Sequence, residues 1–203
     1  MPGSSTLHGA APDHHEFALL ILDLISDFRF SEGKRLLRAA LPAATRIARL
    51  KQRAVAAGVP VVYVNDNRGK WRSDRAQLIA HCLAARSPGR TLVGMLRPRP
   101  DDYFMFKPKH SGFFATPLAA LLRHLGTRQL IVTGVTAEQC VLFTAIDAYL
   151  RDFQLVVPGD CIAGLRQVRC AREHLRTILK ARMAASPSIR FDRRSTSRAL
   201  KRA

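Results

Sequence analysis

The chain has 203 residues, 47% of them hydrophobic and 24% charged, with a formal net charge of +18. That length and apolar content suffice for one domain with a sizeable core, and no apolar run approaches the roughly 20 residues that a membrane-spanning helix needs. Four cysteines, Cys82, Cys140, Cys161 and Cys170, show neither CxxC nor zinc spacing, which argues against a disulfide scaffold and a zinc module and for reduced thiols.

In chain order, residues 1–15 read as a flexible leader. It has neither the basic patch nor the apolar core of a signal peptide, so a cytoplasmic protein is expected, and its His14 and His15 are not expected to be ligands. The apolar run at 18–23 ends at Asp23, and a helix is expected over 34–57. A second run at 59–64 leads into the polar segment NDNRGKW, followed by a helix over 73–85. DYFMFK, 102–107, is a strand ending at Lys107, and a helix follows over 117–125. The run at 130–133 enters a tight turn at Gly134, and the helix expected over 137–151 begins beside Cys140. A last strand at 155–157 and a helix over 167–183 complete the pattern. Runs this short and continuous fit strands covered on both faces. Their alternation with helices predicts an α/β fold: a single domain over 16–183 with a doubly wound, Rossmann-like, mostly parallel sheet and helices on both faces. Residues 184–203 are expected to be a flexible basic tail.

Three of these strands deliver a polar or reactive residue at the C-terminal end: Asp23, Lys107 and, just past its turn, Cys140. Taken singly, each has a plain structural reading, as a turn or cap, a solvated strand end and a small buried hydrophobe. In an open parallel sheet, however, strand ends share the edge where ligands bind, at the topological switch point. A thiol at a helix start beside a lysine is expected to be an activated thiolate, alkylated before the other thiols, and an adjacent carboxylate can shuttle its proton. Lys109 competes with Lys107 for the cation's place, but Pro108 between them ends the strand. His110 is an alternative partner for Cys140, as in papain-like sites, although a loop histidine is more often solvated.

The segments ILDLISDF, KPKHSGFFATPL and VTGVTAEQCVLFTAIDAYLRDF with VVPGDCIAG, in that order and spacing, resemble the isochorismatase-like cysteine hydrolases, which include nicotinamidases and N-carbamoyl amide hydrolases. The resemblance spans roughly residues 17–164. It implies Cys140 as nucleophile, Asp23 as general acid and base, and Lys107 as the orienting cation. It also implies a cis peptide between Val135 and Thr136, an oxyanion hole from the backbone N–H groups of Thr136 and Cys140, and a homo-oligomer. Thr136 with Gln139 reads locally as a capping box, which competes for the Cys140 N–H.

Departures from the family narrow the expectation. VVYVNDNRGKWRSD lacks the histidines of metal-dependent nicotinamidases, so neither metal nor cofactor is expected, and Ile25 stands where many relatives carry Gln. Phe28, Asn67, Trp71 and Phe113 are the candidate pocket residues, with NDNRGKW read equally well as a pocket wall or a polar surface turn. The positive charge is spread along an Arg- and Ala-rich chain without interleaved aromatic platforms, which disfavours nucleic-acid binding and suits biased composition or steering of an anionic substrate. The function expected is metal-independent cysteine hydrolysis of a small amide, ureido or related substrate through a thioester. The alternatives are a catalytically weak binding protein using its basic surface for an anionic partner or nucleic acid, and an isochorismate-type vinyl ether hydrolase.

Overall fold

A computed structural model describes residues 14–72 and 74–191. Its centre is a six-stranded parallel sheet in the order β3-β2-β1-β4-β5, with β6 pairing β4 beyond the end of β5. The strands are β1 (Phe17–Leu22), β2 (Val61–Asp66), β3 (Tyr103–Lys107), β4 (Gln129–Val135), β5 (Gln154–Val156) and β6 (Ile162–Ala163). Every residue of β1 is buried, because alternate side chains of a central strand enter two different cores. Phe17, Leu19 and Ile21 pack with α1 (Gly33–Ala56), α2 (Arg75–Leu83) and α3 (Arg90–Met95). Ala18, Leu20 and Leu22 pack with α4 (Leu118–His124), α5 (Leu142–Tyr149) and α6 (Val168–Thr177). Along α1 the buried Leu36, Ala40, Ala43, Ile47, Leu50 and Ala54 recur every three or four residues, the spacing of one helical face.

The expected fold class holds, with local corrections. The helix expected from residue 73 starts at Arg75, because the Asp74 side chain caps it by accepting from Gln77 N at 2.8 Å. α3 and β6 are too short to carry a periodic signal. The helix expected over 167–183 stops at Thr177. Lys180 then adopts a left-handed φ of 52° and turns the chain so that Arg182 pairs with Val156 beside β5.

The domain also extends past both expected boundaries. His15 is buried and donates its amide to Leu125 O at 2.9 Å, so the end of the expected leader belongs to the fold. Residues 184–191, assigned by composition to the tail, include a single 3-10 turn at Ser186–Ser188. Ser186 bonds Asp160 through both its amide and its hydroxyl, Arg53 donates to Ser186 O and Pro187 O, and Ile189 enters the core. Residues 1–13 and 192–203, the remainder of the expected leader and tail, lie outside the described residues.

The chain leaves β1 toward β2 and β3 on one side, whereas β4 and β5 lie on the other, so the switch point falls between β1 and β4. There Gly134 has a φ of 122°, and an added Cβ would sit 2.2 Å from Leu22 O. Only a residue without a side chain lets the two strand ends approach this closely. Gly134→Ala is therefore expected to lose about 3 kcal/mol or more of stability, read as a lower urea midpoint at unchanged slope. An unaltered midpoint would mean that the strands part without cost.

Candidate active site

Asp23 follows β1 directly and sits in the left-handed region at φ 56°, a conformation that Asp tolerates better than most side chains. Two bonds to the β2 end hold it: its amide donates to Val64 O at 3.2 Å, and its Oδ1 accepts from Asp66 N at 2.6 Å. Lys107, the last residue of β3, is fully buried. Its Nζ lies 2.9 Å from Asp23 Oδ2, 3.4 Å from Cys140 Sγ and 3.7 Å from Asp66 Oδ2, and it donates to Lys109 O at 3.2 Å. Lys109 thus contributes its carbonyl to the site and not a competing ammonium. The His110 ring is exposed and lies 5.4 Å from that of Phe143.

Cys140 does not sit in an ordinary helical turn. Residues Ala137–Val141 form a π-helical turn ahead of α5, the kind of wide turn that recurs at functional sites. In an α-helix Thr136 O would take the amide of Cys140; here it takes those of Gln139 and Val141, at 3.2 and 3.1 Å. The competing capping box does not form: Thr136 makes no side-chain cap, and among the described residues its buried Oγ1 has no hydrogen-bond partner. The Val135–Thr136 peptide is cis. Glu138 Oε1 accepts from Leu165 N at 2.8 Å and Arg166 N at 3.3 Å, which fastens this turn to the segment between β6 and α6.

The electrostatics correct the expectation of a resting thiolate. Burial, and then the charge of Asp23, push the Cys140 thiol up to about 12, and the opposing pull of Lys107 does not overcome them. Burial also raises the Asp23 carboxyl, against the lowering influence of Lys107 and Cys140. For Lys107 burial acts the other way, but Asp23, Cys140 and Asp66 together hold it above its ordinary value. At neutral pH the site therefore contains a thiol beside an ammonium ion and a carboxyl of enhanced basicity. A thiol in this state can act as a nucleophile only by giving up its proton, and the Asp23 carboxyl, which faces the same Lys107 ammonium, is the neighbouring acceptor.

Accessibility points the same way. Cys170 is exposed on α6, whereas Cys82, Cys140 and Cys161 are buried, and burial holds the Cys82 thiol at about 11 and that of Cys161 at about 12. At pH 8 iodoacetamide is expected to modify Cys170 first, with Cys140 labelling rising toward alkaline pH. Preferential loss of the Cys140 peptide at pH 7 in a mass-spectrometric time course would contradict this picture of the resting site.

Asp23 and Cys140 open onto a pocket of about 350 Å³, lined also by Ser26, Phe28, Phe30, Leu36, Asp66, Arg68, Val135 and Thr136. Of the candidate pocket residues only Phe28 lines it. Trp71 is 79% exposed and turned to solvent. Asn67 shapes the turn after β2, accepting from Gly69 N at 2.9 Å while its own amide reaches Lys107 O at 3.1 Å. Phe113 is buried in the core, against Phe153 and beneath the Arg151 guanidinium, because Ser111 and Gly112 tie its loop to Asp147 and Thr144 of α5. Phe30 and Arg68 take the places expected for Trp71 and Phe113. Sequence reasoning reached the segment carrying Arg68 but not the side chain that faces inward. Ile25 is apolar core, and Asn65 bonds both its N–H and its C=O, holding the loop after Asp23 in place. Among the described residues no group of three His, Cys, Asp or Glu side chains is placed to hold a metal ion, and no helix is long and apolar enough to cross a membrane.

Residues 17–184 match the isochorismatase domain model. The chain belongs to the isochorismatase family. It is 40% identical over 146 residues to an uncharacterized isochorismatase family protein of Bacillus subtilis, YaaI, covering 72% of this chain and 80% of that one. It is 33% identical over 139 residues to the ureidoacrylate amidohydrolase RutB of Methylorubrum extorquens, covering 59% of this chain but only 56% of that protein's length. The fold matches N-carbamoylsarcosine amidase from Thermoplasma acidophilum with a TM-score of 0.69 at 24% identity, over 86% of this chain and 98% of that one. It matches the pyrazinamidase/nicotinamidase of Streptococcus mutans with a TM-score of 0.63 at 26% identity, over 82% and 99%. The family is one of hydrolases acting on small molecules, with amidohydrolases among these relatives.

Proposed function

We propose that the protein hydrolyses the C–N bond of a small amide or ureido compound through a thioester on Cys140. The observation that carries this reading is the placement of Lys107 Nζ 2.9 Å from Asp23 and 3.4 Å from Cys140 at the base of a pocket. Sγ attacks the substrate carbonyl as its proton passes to Asp23, while Lys107 keeps its charge and stabilises the developing thiolate. The oxyanion is received by the amides of Thr136 and Cys140. Collapse breaks the C–N bond, and Asp23 returns its proton to the leaving amine. Water then attacks the thioester, giving a proton to Asp23, and the departing thiolate recovers it. A raised carboxyl suits this two-way duty better than a strongly acidic one.

Incubation with a panel of primary amides and N-carbamoyl compounds tests the proposal. Release of ammonia or amine from at least one member is expected, together with an acyl adduct on Cys140 in the intact mass of acid-quenched enzyme. Turnover without an adduct, undiminished in Cys140→Ala, would exclude the thioester route.

A further inference from the structure

Within the pocket, the groups at the catalytic end are already committed to one another. Asp23 and Asp66 both face Lys107, and Asp66 Oδ1 also accepts the Arg68 amide at 2.6 Å. Phe28 and Phe30, whose ring centroids lie 6.4 Å apart, form an apolar wall. Arg68 is the one cation lining the pocket beyond the catalytic trio, among the described residues.

Its placement is specified by the structure around it. The backbone is in the left-handed region at φ 49°, held there by the bond to Asp66. The guanidinium lies 4.9 Å from the Phe30 ring centroid. NH1 is 3.3 Å from Asp27 Oδ1, and NH2 donates to Ser26 Oγ. Asp27 also serves the Arg29 amide at 3.1 Å and His81 Nε2 at 2.8 Å, so its charge is shared. A guanidinium carries five N–H donors, and one stacked on an aromatic ring presents the rest along its edge, suited to two oxygens of a planar anion. The side chain remains 41% exposed, which leaves that edge open to a ligand.

We propose that Arg68 binds an anionic group of the substrate, so that the pocket selects amides or ureido compounds carrying a carboxylate, with the apolar part of the molecule against Phe28 and Phe30 and the scissile carbonyl at Cys140. This rests on the amide-hydrolase reading for the identity of the scissile group, but the anion site itself does not depend on the thiol chemistry. The chain's net charge of +18 acts in the same direction, by drawing anions toward the protein.

The test is binding to full-length Cys140→Ala protein, which cannot turn over through the thiol. N-carbamoylglycine, N-carbamoyl-β-alanine and N-carbamoyl-4-aminobutyrate are titrated calorimetrically, each beside its neutral carboxamide. At least one acid is expected to bind about 10- to 100-fold more tightly than its carboxamide, the range of a charge-assisted hydrogen bond. Adding Arg68→Gln should abolish that preference, with affinity for the carboxamide unchanged, and Arg68→Lys should restore part of it. Equal binding of acid and carboxamide, binding of neither, or equal loss of both in Arg68→Gln overturns the proposal, the last because it marks Arg68 as only a strap for the loop. Acid-selective binding by a wild-type protein that hydrolyses none of these compounds would instead preserve the anion site and count against the proposed reaction.

Discussion

Replacing Cys140 with alanine is expected to lower kcat by roughly 10⁴- to 10⁶-fold on any substrate that the wild-type protein hydrolyses, the scale seen when a covalent nucleophile is removed. The loss should be in chemistry and not in folding, because Cys140 lies at the pocket wall and the sulfur's removal enlarges an existing space. Circular dichroism and a urea midpoint near that of the wild type check the second half of this statement. Steady-state and single-turnover assays check the first. Cys140→Ser is expected to be nearly as poor, since Asp23 would then have to deprotonate a less acidic hydroxyl. Retained turnover in Cys140→Ala would leave the thiol without a catalytic role and favour hydrolysis of a vinyl ether, for which no acyl intermediate is needed.

Lys107→Met should be the most damaging substitution for stability and catalysis together. Breaking a buried ion pair from one side typically costs about 3–5 kcal/mol, because the remaining charge is left without compensation. Here the remaining charge is Asp23, whose side chain is 13% exposed and whose partner Nζ is 2.9 Å away. The pH dependence follows from the signs of the shifts. In the wild type, the raised Lys107 contributes stability that is complete below its unfolded value of 10.5 and is lost as pH rises through the folded value. The raised Asp23 contributes stability that is complete below 3.8 and is lost as pH rises through its own folded value. Removing the cation raises Asp23 further, so the variant's deficit should grow with rising pH and shrink in acid, where the carboxyl is neutral. Urea melts of both proteins at pH 5 and pH 8 measure this, and a deficit that is equal at the two values would show that Lys107 does not compensate Asp23. Activity should fall as well, since the thiolate formed during attack would lose its neighbouring positive charge.

Much of the architecture was legible because parallel strands buried on both faces have to be continuous apolar runs, and those runs stand out in this chain. The ends of β1 and β3 were readable for the same reason: Asp23 and Lys107 interrupt sequences that are otherwise apolar up to that point. α3 was not legible, since Arg90–Met95 is a bare turn and a half with glycine on either side of its centre. Nor was the packing of residues 184–191, which depends on Asp160 and Arg53, residues far away in the chain.

The sequence by itself therefore determined five of the six strands, the strand ends that carry Asp23 and Lys107, and the position of Cys140 just past the turn at Gly134, because burial and periodicity act locally along the chain. Tertiary structure alone decided the state of the thiol and the lining of the pocket. The helix-start position that favours a thiolate is outweighed by burial and by the approach of Asp23, neither of which is a property of the segment around Cys140. In the same way, Arg68 faces inward and Trp71 outward because Asp66 at the end of β2 and Ser26 in the loop after β1 hold the arginine. Loop side chains have no periodicity to direct them, so their orientation comes from contacts that only the folded chain provides.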